Sequence, residues 1–303
     1  MNLNRRTFFQ VAGAAGAVAL CPTRKASAST GDAALNAERR AVLVDTTKCI
    51  GCRACEAACA ETNTLPGPAM LDDPAVFNSR RTMDTRTYTV VNRAEKPGNT
   101  APERFIKRQC MHCVEPACAS ACLVRALDKT PTGPVVYHKD RCLGCRYCMV
   151  ACPFDVPKYE YDTPLPFVQK CHFCADRQAK GEAPACASVC PSGALTFGKR
   201  EPLLDMARER IYAPRATYVR HIYGEHEVGG TSWLYLTDVP FEKLGLPTGL
   251  GTYAYSSLAQ ASLAAVPFVL TLWPPLLMGL YTFSKRRDDV GASDAHEQEV
   301  HHE

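Results

Sequence analysis

Cys142-Leu143-Gly144-Cys145-Arg146-Tyr147-Cys148-Met149-Val150-Ala151-Cys152-Pro153 has the spacing C-x₂-C-x₂-C-x₃-C-P. Three thiolates at that spacing can wrap one face of a cubane iron–sulfur cluster. The fourth, displaced and followed by Pro, points away and serves a second cluster. One such run therefore implies a partner run, and three more runs are candidates. Cys49, Cys52, Cys55 and Cys59 repeat the spacing, with Ala60 in place of the Pro. Cys110, Cys113, Cys118 and Cys122 read C-x₂-C-x₄-C-x₃-C. In Cys171, Cys174, Cys186 and Cys190 a polar loop at 175–185 delays the third thiol, and Pro191 follows the last.

The chain has 303 residues and 17 Cys. Neighbouring thiols two or three residues apart bridge one another poorly, so the cysteines read as metal ligands rather than disulfides. Four-cysteine zinc sites use pairs of C-x₂-C, not triples with a displaced fourth. Covalent haem needs C-x-x-C-H, but Arg53, Val114, Arg146 and Ala175 follow the C-x₂-C pairs. The formal charge is +4, yet Arg5, Arg6, Arg24 and Lys25 in residues 1–28 account for all of it. Nothing in the remaining charge supports nucleic-acid binding. No P-loop or dinucleotide fingerprint is present, and His112, His138, His172, His221 and His226 are scattered. No catalytic residue is expected.

Residues 1–28 read as a twin-arginine export signal. Arg5-Arg6 precedes the apolar run Val11–Leu20, and Ala26-Ser27-Ala28 offers a cleavage site. That route carries folded proteins, as a chain loaded with clusters before export requires. Cys21 is discarded with the signal. From Leu244 to Ser284 there is no charged residue, and Lys285-Arg286-Arg287 follows at once. Ala259–Phe283 is long enough to span a bilayer, with kinks at Pro267, Pro274 and Pro275. The basic cluster keeps the tail cytoplasmic and the N-terminal domain outside. His296, His301 and His302 read as a solvated tail.

Short strands flank the cysteine runs: Val42–Val44 before the first, Arg104–Ile106 before the second, Val156–Tyr159 after the third and Ala194–Phe197 after the fourth. A hairpin at Ala126–Tyr137 turns at Pro131-Thr132-Gly133-Pro134. The second and third runs with their strands form one contiguous two-cluster unit. The first and fourth complete another only by pairing across it. The expected fold is α+β, with two nested ferredoxin-like lobes and one C-terminal transmembrane helix. The expected bounds are 29–200 for the four-cluster domain, with an inner lobe at 103–160 and an outer lobe of 41–60 with 165–200. An extension and linker follow at 201–252, the anchor at 253–284 and a tail at 285–303. Residues 61–102 form an insertion, either a surface loop with a small hairpin or a partner-docking element.

The displaced-fourth rule assigns the ligands of four [4Fe-4S] clusters crosswise. Cys49, Cys52 and Cys55 take Cys190, and Cys171, Cys174 and Cys186 take Cys59. Cys110, Cys113 and Cys118 take Cys152, and Cys142, Cys145 and Cys148 take Cys122. Arg53, Arg108, Arg141, Arg146 and Lys170 sit beside ligands. They are either cations that raise cluster potentials or solvated surface charges.

These features resemble the four-cluster ferredoxin-like electron-transfer subunits of membrane oxidoreductases. The nearest likeness is to the HybA-type periplasmic subunits of hydrogenase-2-type [NiFe]-hydrogenases. It rests on the twin-arginine signal, Lys107-Arg108-Gln109-Cys110-Met111-His112-Cys113, and Cys142–Pro153 followed by Val156-Pro157-Lys158-Tyr159. His221-Ile222-Tyr223-Gly224-Glu225 leading to Gly229-Gly230-Thr231, and the single anchor, complete it. The resemblance implies an iron–sulfur relay between [NiFe]-hydrogenase small and large subunits and a multi-span quinone-handling membrane subunit. Alternatives are the same relay in a formate dehydrogenase or molybdopterin-type reductase, a stand-alone metalloenzyme with an open iron site, and a disulfide-rich binding protein.

Overall fold

The computed structural model describes residues 38–68, 70–95 and 103–300. The export signal expected at 1–28, and His301 and His302, lie outside these. The apolar run Ala41–Val44 becomes strand β1 (Arg40–Asp45), buried along all but its first residue. A strand covered on both faces needs such an unbroken apolar run. β1 is the middle of a three-stranded sheet. It pairs antiparallel with β8 (Leu195–Lys199), Val42 opposite Phe197, and parallel with β9 (Trp233–Leu236), Val42 opposite Trp233. Period-2 alternation divides its side chains. Val42 and Val44 join a core that includes Cys110 and Cys186, while Ala41 and Leu43 pack the opposite way.

The second face is covered by helix α6 (Arg200–Tyr212). Leu203, Leu204, Ala207 and Ile211 recur at helical spacing and are buried against Ala41 and Leu43. Each larger aliphatic among them contributes about 1.5–3 kcal/mol by burial. Charged residues such as Asp205 and Arg208 occupy the exposed side.

Every cysteine run leads into a short helix. These are α1 (Ala54–Thr62), α2 (Ala117–Ser120), α3 (Tyr147–Ala151), and the pair α4 (Ala175–Ala179) and α5 (Ala185–Ser188) of the fourth run. α1 packs on α5, and α2 packs on α3. The first run therefore meets the fourth, and the second meets the third. β4 (Leu127–Lys129) and β5 (Val135–Tyr137) form the hairpin expected at Ala126–Tyr137. Its tip reaches the outer sheet, where the Arg40 amide donates to the Thr132 carbonyl at 2.8 Å.

The other strands differ from expectation. β3 (Phe105–Arg108) pairs with β2 (Val90–Arg93), inside the 61–102 insertion. β6 (Lys158–Tyr159) pairs with β7 (Val168–Gln169). The two strands flanking the second and third runs thus each find a partner outside 104–159. The insertion is also more than a surface loop. Val90 and Val91 are buried, and Glu56 of α1 accepts from Arg81 and from the Val91 amide. The extension at 201–252 supplies the sheet strand β9 and lies against the second run. There Ser232 N donates to Met111 O at 3.1 Å and Val114 N to Gly230 O at 2.9 Å.

The last helix, α7, runs from Tyr255 to Val300, past the end expected at Ser284. Its segment Ala264–Val290 is 27 residues of mean hydropathy 1.5 and is exposed along its length among the described residues. At 1.5 Å per residue that is about 40 Å, enough to cross a bilayer. Pro267, Pro274 and Pro275 lie inside it without ending it. At its foot α7 contacts α2, and Ser256 Oγ donates to Glu115 Oε2 at 3.3 Å.

Candidate functional site

All four runs share a backbone device. The residue just before the second cysteine is left-handed in each: Gly51 at φ 72°, His112 at 47°, Gly144 at 69° and Phe173 at 60°. That turn folds the C-x₂-C loop back so that both sulfurs face the same side. Glycine suits it for two reasons at Gly51 and Gly144. Its φ is free of Cβ strain, and a Cβ would come within 2.7 Å of the Phe105 ring or the Tyr159 hydroxyl respectively. His112 and Phe173 take the conformation without that freedom. Their rings stack at 4.9 Å and 21°. Both are fully buried, so the turns of the second and fourth runs face each other across this pair.

The thiols gather in four groups. Cys49 has Cys190 and Cys52 as charge neighbours, and Cys49, Cys52, Cys55 and Cys190 line one space. Cys59, Cys171, Cys174 and Cys186 line a second. Cys113 and Cys118 both face Cys110 and Cys152. Cys148 faces Cys142, Cys145 and Cys122. Each group draws its fourth thiol from the partner run.

Among the described residues, no three Cys, His, Asp or Glu side chains converge tightly enough for a single metal ion. Thiols standing around an open, largely apolar space suit a multi-iron group. Burial pushes the thiols up: Cys49, Cys148 and Cys152 to about 11, Cys59 and Cys118 to about 12. Such thiols are protonated at neutral pH until iron displaces the proton. Several sulfurs accept hydrogen bonds, which favour the charged form. Ala126 N donates to Cys122 Sγ at 3.1 Å, Gly144 N to Cys142 Sγ at 3.4 Å and Phe173 N to Cys171 Sγ at 3.4 Å.

The cations named from the sequence separate by burial. Arg53 is buried and bonded to Glu56 at 3.1 Å and to the Met70 carbonyl at 2.8 Å. Lys170 is buried and donates to the carbonyls of Val135 and Cys171. Arg108 is half-buried. Arg141 and Arg146 are exposed, and Arg146 stacks 5.6 Å over Tyr159. Sequence reasoning missed Lys107, which lines both spaces. A polar stretch, Lys107-Arg108-Gln109, standing directly before a ligand run was the available signal.

A protein of Nitratidesulfovibrio vulgaris is 46% identical over 96% of this chain and 80% of its own length. The hydrogenase-2 operon protein HybA of Escherichia coli O157:H7 is 40% identical over 73% of this chain and 77% of its own. The chain belongs to the HybA-like iron–sulfur electron-transfer subunits. Residues 102–200 match the 4Fe-4S dicluster domain family. The iron-sulfur subunit of nitrate-inducible formate dehydrogenase from Escherichia coli is 33% identical over 76% of this chain and 81% of its own length. The chain is thus a non-catalytic electron-transfer subunit of a hydrogenase- or formate-dehydrogenase-type complex, and its cofactors are four [4Fe-4S] clusters.

Proposed function

We propose that this subunit relays electrons from a periplasmic [NiFe]-hydrogenase to a membrane subunit that reduces quinone. The observation that carries the relay is the gathering of sixteen thiols into four groups of four, each group drawing on two runs. Bound there, each cluster accepts and releases one electron at a time. The crosswise ligand sets are Cys49, Cys52, Cys55 with Cys190; Cys171, Cys174, Cys186 with Cys59; Cys110, Cys113, Cys118 with Cys152; and Cys142, Cys145, Cys148 with Cys122. The protein's own part is to hold these sulfurs in fixed turns, donate hydrogen bonds to several of them and shield them in part from water.

The contact between α2 and the foot of α7 supports a membrane-facing inner lobe, since α2 carries Cys118. Leu123, Leu143, Tyr147 and Val150 are exposed in that lobe, as is Cys145, and suit docking of an apolar partner. The nested pairing of lobes is supported by the β1–β8 ladder and the α1–α5 and α2–α3 contacts. Export by the twin-arginine route, with the tail inside, follows from the charge pattern of the sequence.

The choice of hydrogenase rests on identity: 40% to HybA against 33% to the nitrate-inducible formate dehydrogenase subunit. A relay in a formate dehydrogenase is the second reading, favoured by that same relative. Co-purification from detergent-solubilised membranes separates them. Mass spectrometry should find nickel–iron hydrogenase subunits with this chain. A molybdopterin subunit in their place would overturn the first reading.

A further inference from the structure

Lys107 is out of character for its position. It lies on β3 beside fully buried Ile106 and is itself only 2% exposed. A lysine ammonium has three donors and no acceptor. One donor goes to Gln109 Oε1 at 3.0 Å. The ammonium also sits 4.5 Å from the centre of the Trp233 ring. Gln109 is held in turn, its Nε2 donating to the Tyr235 hydroxyl at 2.8 Å. That hydroxyl donates to the Lys107 carbonyl at 2.9 Å. The ring of bonds aims the ammonium and leaves it little freedom.

No carboxylate among the described residues pairs with it. A buried cation without an anion is strongly unfavourable. The anions are the sulfurs. Lys107 lines both the space of Cys49, Cys52, Cys55 and Cys190 and the space of Cys59, Cys171, Cys174 and Cys186. The other buried cations are committed elsewhere, Arg53 to Glu56 and Lys170 to two carbonyls. The Trp233 indole Nε1 is buried and unpartnered beside the second space, a further donor available to sulfur.

We infer that Lys107 is the shared counter-ion of the two outer-lobe clusters and sets the potentials of both. This rests on the four-cluster reading above. Adding one electron to either site adds one negative charge next to a fixed, water-shielded cation, and no bond forms or breaks. Attraction between buried charges falls with distance and is poorly screened, so the effect stays within the outer lobe. Lys107 is a positioning residue in the electrostatic sense and touches no substrate.

The test is a redox titration of the purified full-length holoprotein, followed by low-temperature electron paramagnetic resonance. In Lys107→Met, two of the four cluster signals should become harder to reduce by about tenfold or more. For a one-electron couple that is about 59 mV. The other two should stay in place, and Lys107→Arg should keep all four near their original positions. Gln109→Glu gives a second route, because it neutralises the ammonium without removing it. It should shift the same two signals in the same direction, and serves if Lys107→Met does not assemble. A purely structural lysine would change iron content or melting temperature and leave the potentials of retained clusters alone. Unmoved potentials in Lys107→Met or Gln109→Glu, or a shift confined to one signal, would overturn the assignment. Iron and acid-labile sulfide in the unsubstituted protein report separately on the four-cluster reading. Fewer than four clusters there would sink that reading whatever Lys107 does.

Discussion

Replacing Phe173 by Ala and by Gly gives a test whose sign is unusual. Phe173 is 1% exposed, stacks on His112, and lies 5.6 Å from Trp233 and 6.3 Å from Phe197, centroid to centroid. Truncating a buried Phe to Ala costs about 3–5 kcal/mol through lost contacts and the cavity left behind. Gly removes the same ring. In ordinary backbone Gly would then be worse than Ala by about 0.5–1 kcal/mol. At φ 60° the order reverses, because a Cβ in the left-handed region costs about 1–2 kcal/mol that Gly does not bear. Phe173→Gly should therefore exceed Phe173→Ala in stability by about 1 kcal/mol. At roughly 2–4 °C per kcal/mol for a domain of this size, the Ala variant should melt about 6–20 °C lower than the parent. The Gly variant should recover about 2–4 °C of that. The assay is the temperature at which the cluster absorbance bleaches in purified holoprotein, scanned at one fixed rate. A Gly variant that melts with or below the Ala variant would refute the claim that the turn imposes a left-handed backbone.

Three further outcomes are expected. Cys122→Ser and Cys145→Ser should each remove the same paramagnetic signal, and the double variant should lose no more than either alone. Loss of two signals in the double variant would break the crosswise assignment. Asp238 accepts two hydrogen bonds from Arg104, at 2.8 and 2.6 Å, and this pairing holds its carboxyl below the ordinary value of 3.8. A carboxylate with a lowered folded pKa lends stability above its unfolded value and loses it as pH falls through the folded one. Asp238→Asn should thus cost about 1–3 kcal/mol at neutral pH, with the gap to the parent closing in denaturant titrations below about pH 4. Removing residues 264–303 should move the protein from the membrane to the soluble fraction with its iron content unchanged, as fractionation and iron assay will show; persistent membrane association would contradict the anchor.

The parts legible in the sequence were those set by local spacing. Cysteine intervals displayed the four runs, Val42–Val44 displayed a short strand, and the charge-free stretch to Ser284 displayed the apolar helix. The pairing of Val42–Val44 with Leu195–Phe197 was also legible, since only those strands were left to close the outer lobe. The β2–β3 pairing was not. Val90–Arg93 lies in a Pro- and Asn-rich insertion, where strand propensity is weak and register depends on Glu56 reaching the Val91 amide from α1. The role of 229–236 was hidden for a similar reason. Trp233 and Tyr235 sit in one short strand, but their parallel partner β1 is about 190 residues earlier, a distance no periodicity reports. Lys107 was missed because a lysine in a short strand ordinarily marks an exposed edge. Its burial follows from β9 and two thiol groups converging on it from distant parts of the chain.

The placement of β1 also bears on the order in which the molecule is completed. As the middle strand it can be secured only after Leu195–Lys199 and Trp233–Leu236 have been made, so the earliest part of the domain is among the last to be fixed. Closure over such separations is slow compared with local folding. During synthesis the leading strand waits, with its apolar side chains uncovered, while the intervening cysteine runs emerge. A chain stalled before residue 233 would present a loose, sticky N-terminal segment, and a finished chain would not.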